Sequence, residues 1–209
     1  MARRRGGGLL AGLVVVLLLA GGAWLFRGQV ARLLGGGRPE ATAVSQEAAV
    51  QAEEKLARLA SDGETVRLSD VEFTSLMRYR LRDRIPGDLE SPAVSFRGDT
   101  VRLMARVPSD RLPDVPELGA ARSFLPDTAD VDVVGRLAPL ASGRAAFEVR
   151  SITFAGIPVP DRLYPQALER MGRRDEPGLS ASAYAFPLPE GVGAARVERG
   201  ELVLTPPPS

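Results

Sequence analysis

The two most versatile side chains of protein chemistry are missing here, since the 209 residues include neither cysteine nor histidine. Their absence removes thiolate nucleophiles, imidazole bases and ligands, disulfides, and any Ser-His-Asp or Cys-His arrangement. Amine and oxygen chemistry remain. Lys55 is the single lysine among 27 basic residues. A Ser-Lys pair would need a neutral amine, yet Lys55 follows Glu53 and Glu54 on a polar stretch of helical composition, where carboxylates favour the charged form. Asp127, Asp130 and Asp132 come nearest to an all-oxygen metal site, but they lack the glycine and terminal glutamate of a calcium loop and read as solubilising residues around a strand start. None of the 26 acidic residues sits in a context that marks a glycosidase pair. The chain therefore reads as non-enzymatic, with no metal and no cofactor.

Charge narrows the partners. Residues 1–38 hold six arginines and no acid, and the remainder carries 21 basic against 26 acidic side chains, a net of −5. A domain of that balance lacks the cationic footprint that nucleic acid requires. The amino terminus suggests another partner. A cationic stretch at residues 1–8 precedes an uncharged apolar run, Leu9 to Phe26, ending in Trp24-Leu25-Phe26. At about 1.5 Å per residue such a run reaches roughly 27 Å, close to the thickness of a hydrocarbon core. The small residues Ala20 to Ala23 also fit a cleavable signal peptide, but the run continues past them into an aromatic of interfacial type, so residues 9–26 are read as a membrane anchor. Residues 1–8 would be its cytoplasmic tail and 27–42, with Gly35-Gly36-Gly37, a flexible linker. Residues 43–205 would form an extracytoplasmic domain at the inner (cytoplasmic) membrane, followed by a disordered Pro-rich tail at 206–209.

Within that domain, Val44, Ala48, Ala52, Leu56 and Leu59 predict a helix ended by Asp62-Gly63. Its thin alanine stripe suggests a surface helix or a stalk. Thr65 to Leu68 reads as a strand. Ser69 and Glu72 form a Ser-x-x-Glu capping box flanked by Leu68 and Phe73 at the staple positions, and the helix they open is expected to run to about Arg84, before Pro86-Gly87. Arg78, Arg80, Arg82 and Arg84 spread around its exposed side, as a solvated face or as contacts to anionic lipid headgroups. After Pro92 the period changes to two. Val94 and Phe96, then Val101, Leu103, Ala105 and Val107, make a hairpin turned at Arg97-Gly98-Asp99-Thr100, where Gly-Asp serves the turn rather than adhesion. Residues 108–128 form a long proline- and acid-rich connection.

Strands follow at Ala129 to Leu140 and Arg144 to Phe154. Along the second the apolar phase switches, from odd positions at Phe147 and Val149 to even ones at Ile152 and Phe154, which calls for a bulge near Arg150-Ser151. Pro158 and Pro160 then make a corner before a short helix striped by Leu163, Tyr164, Ala167, Leu168 and Met171. A strand at Leu179 to Phe186 and a hairpin turned at Arg199-Gly200 complete the domain. The stretch from Phe147 to Met171, strand to corner to helix, is the unit around which the rest is organised.

The order Leu68-Ser69-x-x-Glu72-Phe73-x-x-Leu76, hairpin, Phe154-Ala155-Gly156-Ile157-Pro158-Val159-Pro160, short helix and Leu188-Pro189-Glu190-Gly191-Val192 resembles the bacterial single-pass envelope proteins of the YpmS and LmeA type, over residues 45 to 205. The resemblance implies an α+β fold, a curved antiparallel β-sheet packed with amphipathic helices and related to tubular lipid-binding modules, preceded by one N-terminal transmembrane helix. It also implies that a lipid-like molecule is held. The residues expected to line an apolar groove are Phe73, Leu76, Met77, Phe147, Ile152, Phe154, Leu163, Tyr164, Leu168 and Met171, although each of them, taken singly, reads more readily as plain core. The alternative is an envelope scaffold with a filled core that recruits a protein partner, or, less directly, an accessory subunit of an enzyme.

Overall fold

The computed structural model describes residues 43–82, 89–108, 127–141, 143–170 and 172–208. The anchor, the linker, most of the long connection, the expected helix end at Arg84 to Gly87, and Met171 lie outside the described residues. No helix among the described residues is long and apolar enough to cross a membrane.

The fold is α+β with antiparallel sheets. Helix α1 (Gln46–Asp62) opens where the Ser45 hydroxyl accepts the Ala48 N–H, and closes at Gly63 with φ 66°. Its stripe is not a surface feature, because Ala48, Ala49, Ala52, Leu56 and Leu59 are all buried. The alanines that looked too small to anchor a helix instead let α1 lie close against α2 (Asp70–Tyr79). Strand β1 (Val66–Leu68) leads into the capping box of α2, in which the Ser69 hydroxyl accepts the Glu72 N–H and the Glu72 carboxylate accepts the Ser69 N–H. Helix α2 stops at Tyr79, short of the expected end. The N–H groups of Arg80 and Leu81 both reach the Leu76 carbonyl, and this turn drops Leu81 into the core.

Strands β2 (Glu90–Arg97), β3 (Thr100–Pro108), β4 (Thr128–Leu140), β5 (Arg144–Phe154) and β6 (Ile157–Pro158) form the larger sheet in that order. Strand β7 (Ala183–Pro187) pairs with β5 beside β6. It is shorter than expected because Ser180 turns the chain: its carbonyl accepts the Ala183 N–H and its hydroxyl the Ser182 N–H. A smaller sheet has the order β1, β9 (Glu201–Thr205), β8 (Ala194–Glu198). The alternating residues Val101, Leu103, Ala105, Val107, Ala129, Val131, Val133 and Leu137 turn inward to a single core shared with the helices and the smaller sheet.

The phase switch on β5 has the cause expected of it. Val134 pairs with Ser151 and Gly135 with Val149, so Arg150 is the extra residue of a bulge. Phe147 and Phe154, on opposite phases, are therefore both buried.

The free edge of β2 is closed by side chains. The Thr74 hydroxyl donates to the Val94 carbonyl at 3.2 Å and accepts the Val94 N–H at 3.0 Å, while Arg78 Nε donates to the Pro92 carbonyl. Beyond them, the Gly200 N–H at the tip of the β8–β9 hairpin donates to the Gly98 carbonyl at the tip of β2–β3. Helix α2 thus stands where another strand would otherwise pair. Replacing Thr74 by the near-isosteric valine leaves two buried backbone groups unpaired, and should lower stability by about 2 kcal/mol. Thr74→Ser should recover most of that, as read from urea midpoints; equal loss in both variants would assign the effect to packing.

Candidate functional site

The Phe147 to Met171 unit is held together by one hydroxyl. Tyr164, at the start of helix α3 (Tyr164–Arg170), is buried. Its phenol accepts the Ile152 N–H at 3.1 Å and donates to the Val159 carbonyl at 3.1 Å, while the Val159 N–H reaches the Ile152 carbonyl at 2.8 Å. The tyrosine bridges β5 to the proline corner just past the bulge, where β5 has left β7 and has, on the side away from β4, the two residues of β6. The phenol is committed to the backbone on both sides.

Behind α3, Arg173 is a buried arginine. Its N–H meets the Leu168 carbonyl, Nε donates to the Ala183 carbonyl, and its guanidinium pairs with Asp175 at 2.8 Å. Arg144 forks onto Glu176 with bonds of 2.9 and 2.6 Å and holds that carboxyl below its ordinary range. These two arginines pin the loop that carries β7, a role that nothing in the local sequence pattern announces.

The expected groove residues fall as follows. Phe73, Leu76, Met77, Phe147, Phe154, Tyr164 and Leu168 are between 0 and 6% exposed and belong to one continuous core. The rings of Phe73 and Phe96 meet at 5.9 Å, closing α2 onto β2. Ile152 and Leu163 are half-buried, and Ile157, beside Phe154 in the β5–β6 pairing, is 50% exposed. The apolar set is therefore brought together, open to solvent at the proline corner and covered elsewhere.

No family model matches the chain, and neither does any curated protein or solved structure.

Lys55 stands in a different place from the one its sequence context suggests. Its amine lies 2.8 and 2.9 Å from the two carboxylate oxygens of Glu72 and 2.9 Å from the Arg67 carbonyl, and Glu72 is only 1% exposed. The Ser69 hydroxyl donates to the same carboxylate at 3.0 Å while accepting the Glu72 N–H. A serine, a carboxylate and a lysine thus meet, but every one of these contacts closes a helix start or ties α1 to it. The signal was present in the spacing: Lys55 lies three residues after Ala52, at the border of the α1 stripe.

Asp130 and Asp132 do not converge on a cation. They accept from Arg106 and Arg102 respectively across the β3–β4 pairing, on the face opposite the core, where Arg136 likewise meets Glu148. Among the described residues there is no group of three or more metal-ligating side chains.

Proposed function

We propose that the protein is a membrane-anchored, non-catalytic domain of the bacterial cell envelope that acts as a scaffold or interaction module with a filled core. The reading takes residues 9–26 as the anchor, at the inner membrane, and residues 43–205 as the extracytoplasmic domain. The resemblance to the YpmS and LmeA type supports the envelope setting, while the lipid it implies belongs to the second reading below. The observation that carries it is the near-complete burial of Phe73, Leu76, Met77, Phe147, Phe154 and Leu168. A cavity wide enough for an acyl chain would leave its lining accessible from within, whereas these side chains are at most 6% exposed.

A second reading, in which the domain holds a lipid, draws on the proline corner, where Ile152 and Leu163 are half-buried and Ile157 is exposed. Native mass spectrometry with solvent extraction, on residues 40–209 prepared without detergent, separates the two. The scaffold reading expects a bare protein mass that stays unchanged after exposure to envelope lipids. A stoichiometric lipid would overturn it in favour of the carrier.

A further inference from the structure

Among the described residues two large apolar side chains stand about half exposed, Tyr79 at 48% and Ile157 at 50%. They lie at opposite edges of the larger sheet. Ile157 is in β6, whereas Tyr79 ends α2, the helix that closes the β2 edge. Four strand spacings, about 19 Å, separate those edges.

Only Tyr79 lies beside the point where the chain joins the domain. The Ser45 N–H donates to the Ser75 hydroxyl at 3.1 Å. Ser75 and Tyr79 are four residues apart on α2, and therefore neighbours on one helix face. Upstream of Ser45 stand residues 27–42 and then the apolar run 9–26. A Gly-rich chain of that linker's length has a root-mean-square reach of about 20 Å. On the anchored reading, a tether of that reach keeps the end of α2 near the bilayer surface and makes no such demand of Ile157.

The chemistry of that helix end matches the location. Arg78 and Arg82 are exposed on either side of Tyr79, and Arg78 Nε is fixed on the Pro92 carbonyl. Arg80 between them is spent on Glu53 at 2.8 Å. Two exposed guanidinium groups flanking an exposed tyrosine form the pattern found at bilayer interfaces, a ring with an apolar body and polar tip beside headgroup-binding cations. The charge of the rest of the domain sharpens the orientation, because residues 39–209 carry a net of −5 and an anionic leaflet repels most of that surface.

The geometry points to Arg78 and Tyr79 at the carboxyl-terminal end of α2, with Arg82 just beyond it, as the face with which the domain rests on an anionic lipid surface. This inference rests on the anchored reading above. It adds a defined orientation, which leaves the proline corner and β6, at the other side of the larger sheet, turned away from the bilayer and accessible to a partner.

The test uses the full chain in vesicles of phosphatidylethanolamine and phosphatidylglycerol. Trp24, the one tryptophan of the sequence, is first changed to phenylalanine. Tyr79→Trp and Ile157→Trp are then compared using lipids brominated near the top of the acyl chain. Loss of emission and a blue shift at position 79, with neither at 157, is the expected result. Adding Arg78→Glu and Arg82→Glu should abolish the quenching at 79, as should phosphatidylcholine vesicles. Quenching at 157 alone, or equal emission at both sites in a chain that resists carbonate extraction, overturns the orientation while leaving the anchor in place. Release of the chain by carbonate overturns the anchored reading, and the orientation with it.

Discussion

Replacing Lys55 by methionine should cost about 3 kcal/mol, far more than a half-covered lysine on a polar-looking helix would suggest. The reason is the asymmetry of the pair: Lys55 is 27% exposed and can be rehydrated, but the Glu72 side chain is 1% exposed and cannot. Without the amine, the buried carboxylate is left, among the described residues, with the Ser69 N–H and hydroxyl as donors. Removing the carboxylate as well should therefore restore stability. Lys55→Met/Glu72→Leu is expected to be more stable than Lys55→Met alone, with a residual loss of about 1 kcal/mol for half of the capping box. Urea unfolding with unchanged slopes would measure both. If Lys55→Met lies within about 0.5 kcal/mol of the parent, in the range of ordinary surface substitutions, the pair contributes nothing and the account of the α1–α2 contact is wrong.

The second large effect is expected at Gly135. A Cβ at this position would stand 2.5 Å from the Glu148 carbonyl oxygen and 2.5 Å from the tip of the Phe147 ring. The glycine is what lets that ring lie across β4, next to the Arg150 bulge. Gly135→Ala should lose about 3 kcal/mol, at the upper end of overpacking costs, because one of the two clashing groups is backbone. In a Phe147→Leu background the same change should cost less, since the ring is gone, but not nothing, since the carbonyl remains. A thermodynamic cycle of the four proteins reads this coupling. Strict additivity would mean that the ring and the glycine do not share the space assigned to them. The outcome also bears on function, because Phe147 stands among the expected groove residues. A residue so tightly enclosed has no face left for a ligand.

Much of the local structure was legible because local structure is where short-range rules operate. The capping box at Ser69 and Glu72, the hairpin at Gly98-Asp99, the turn at Arg199-Gly200 and the β5 bulge all follow from residue types at fixed offsets. Each appears at the expected position or within a residue of it. The misses have a common cause. Pro86-Gly87 predicts an end of α2 near Arg84 with Leu81 on the buried face; Leu81 is buried, but the chain reaches that place through a turn in which the Arg80 and Leu81 N–H groups share the Leu76 carbonyl. The strand expected over Leu179 to Phe186 begins only at Ala183, because Ser180 and Ser182 bond to each other and to nearby backbone. The expected groove residues form an apolar set, and a set of that kind looks the same in sequence whether it lines a cavity or fills one.

By itself the sequence determined the class of the domain and the limits of its chemistry. Two-residue and three-to-four-residue periodicities specify strands and helices. The lack of cysteine and histidine excludes whole reaction types whatever the fold. Tertiary structure alone decided the partners across long separations: Lys55 with Glu72, Thr74 with Val94, Arg144 with Glu176, Tyr164 with two backbone groups around the proline corner. A side chain carries its type and its local phase, but the group it meets depends on how whole elements are brought together. That depends on the summed burial of the core and is written at no single position.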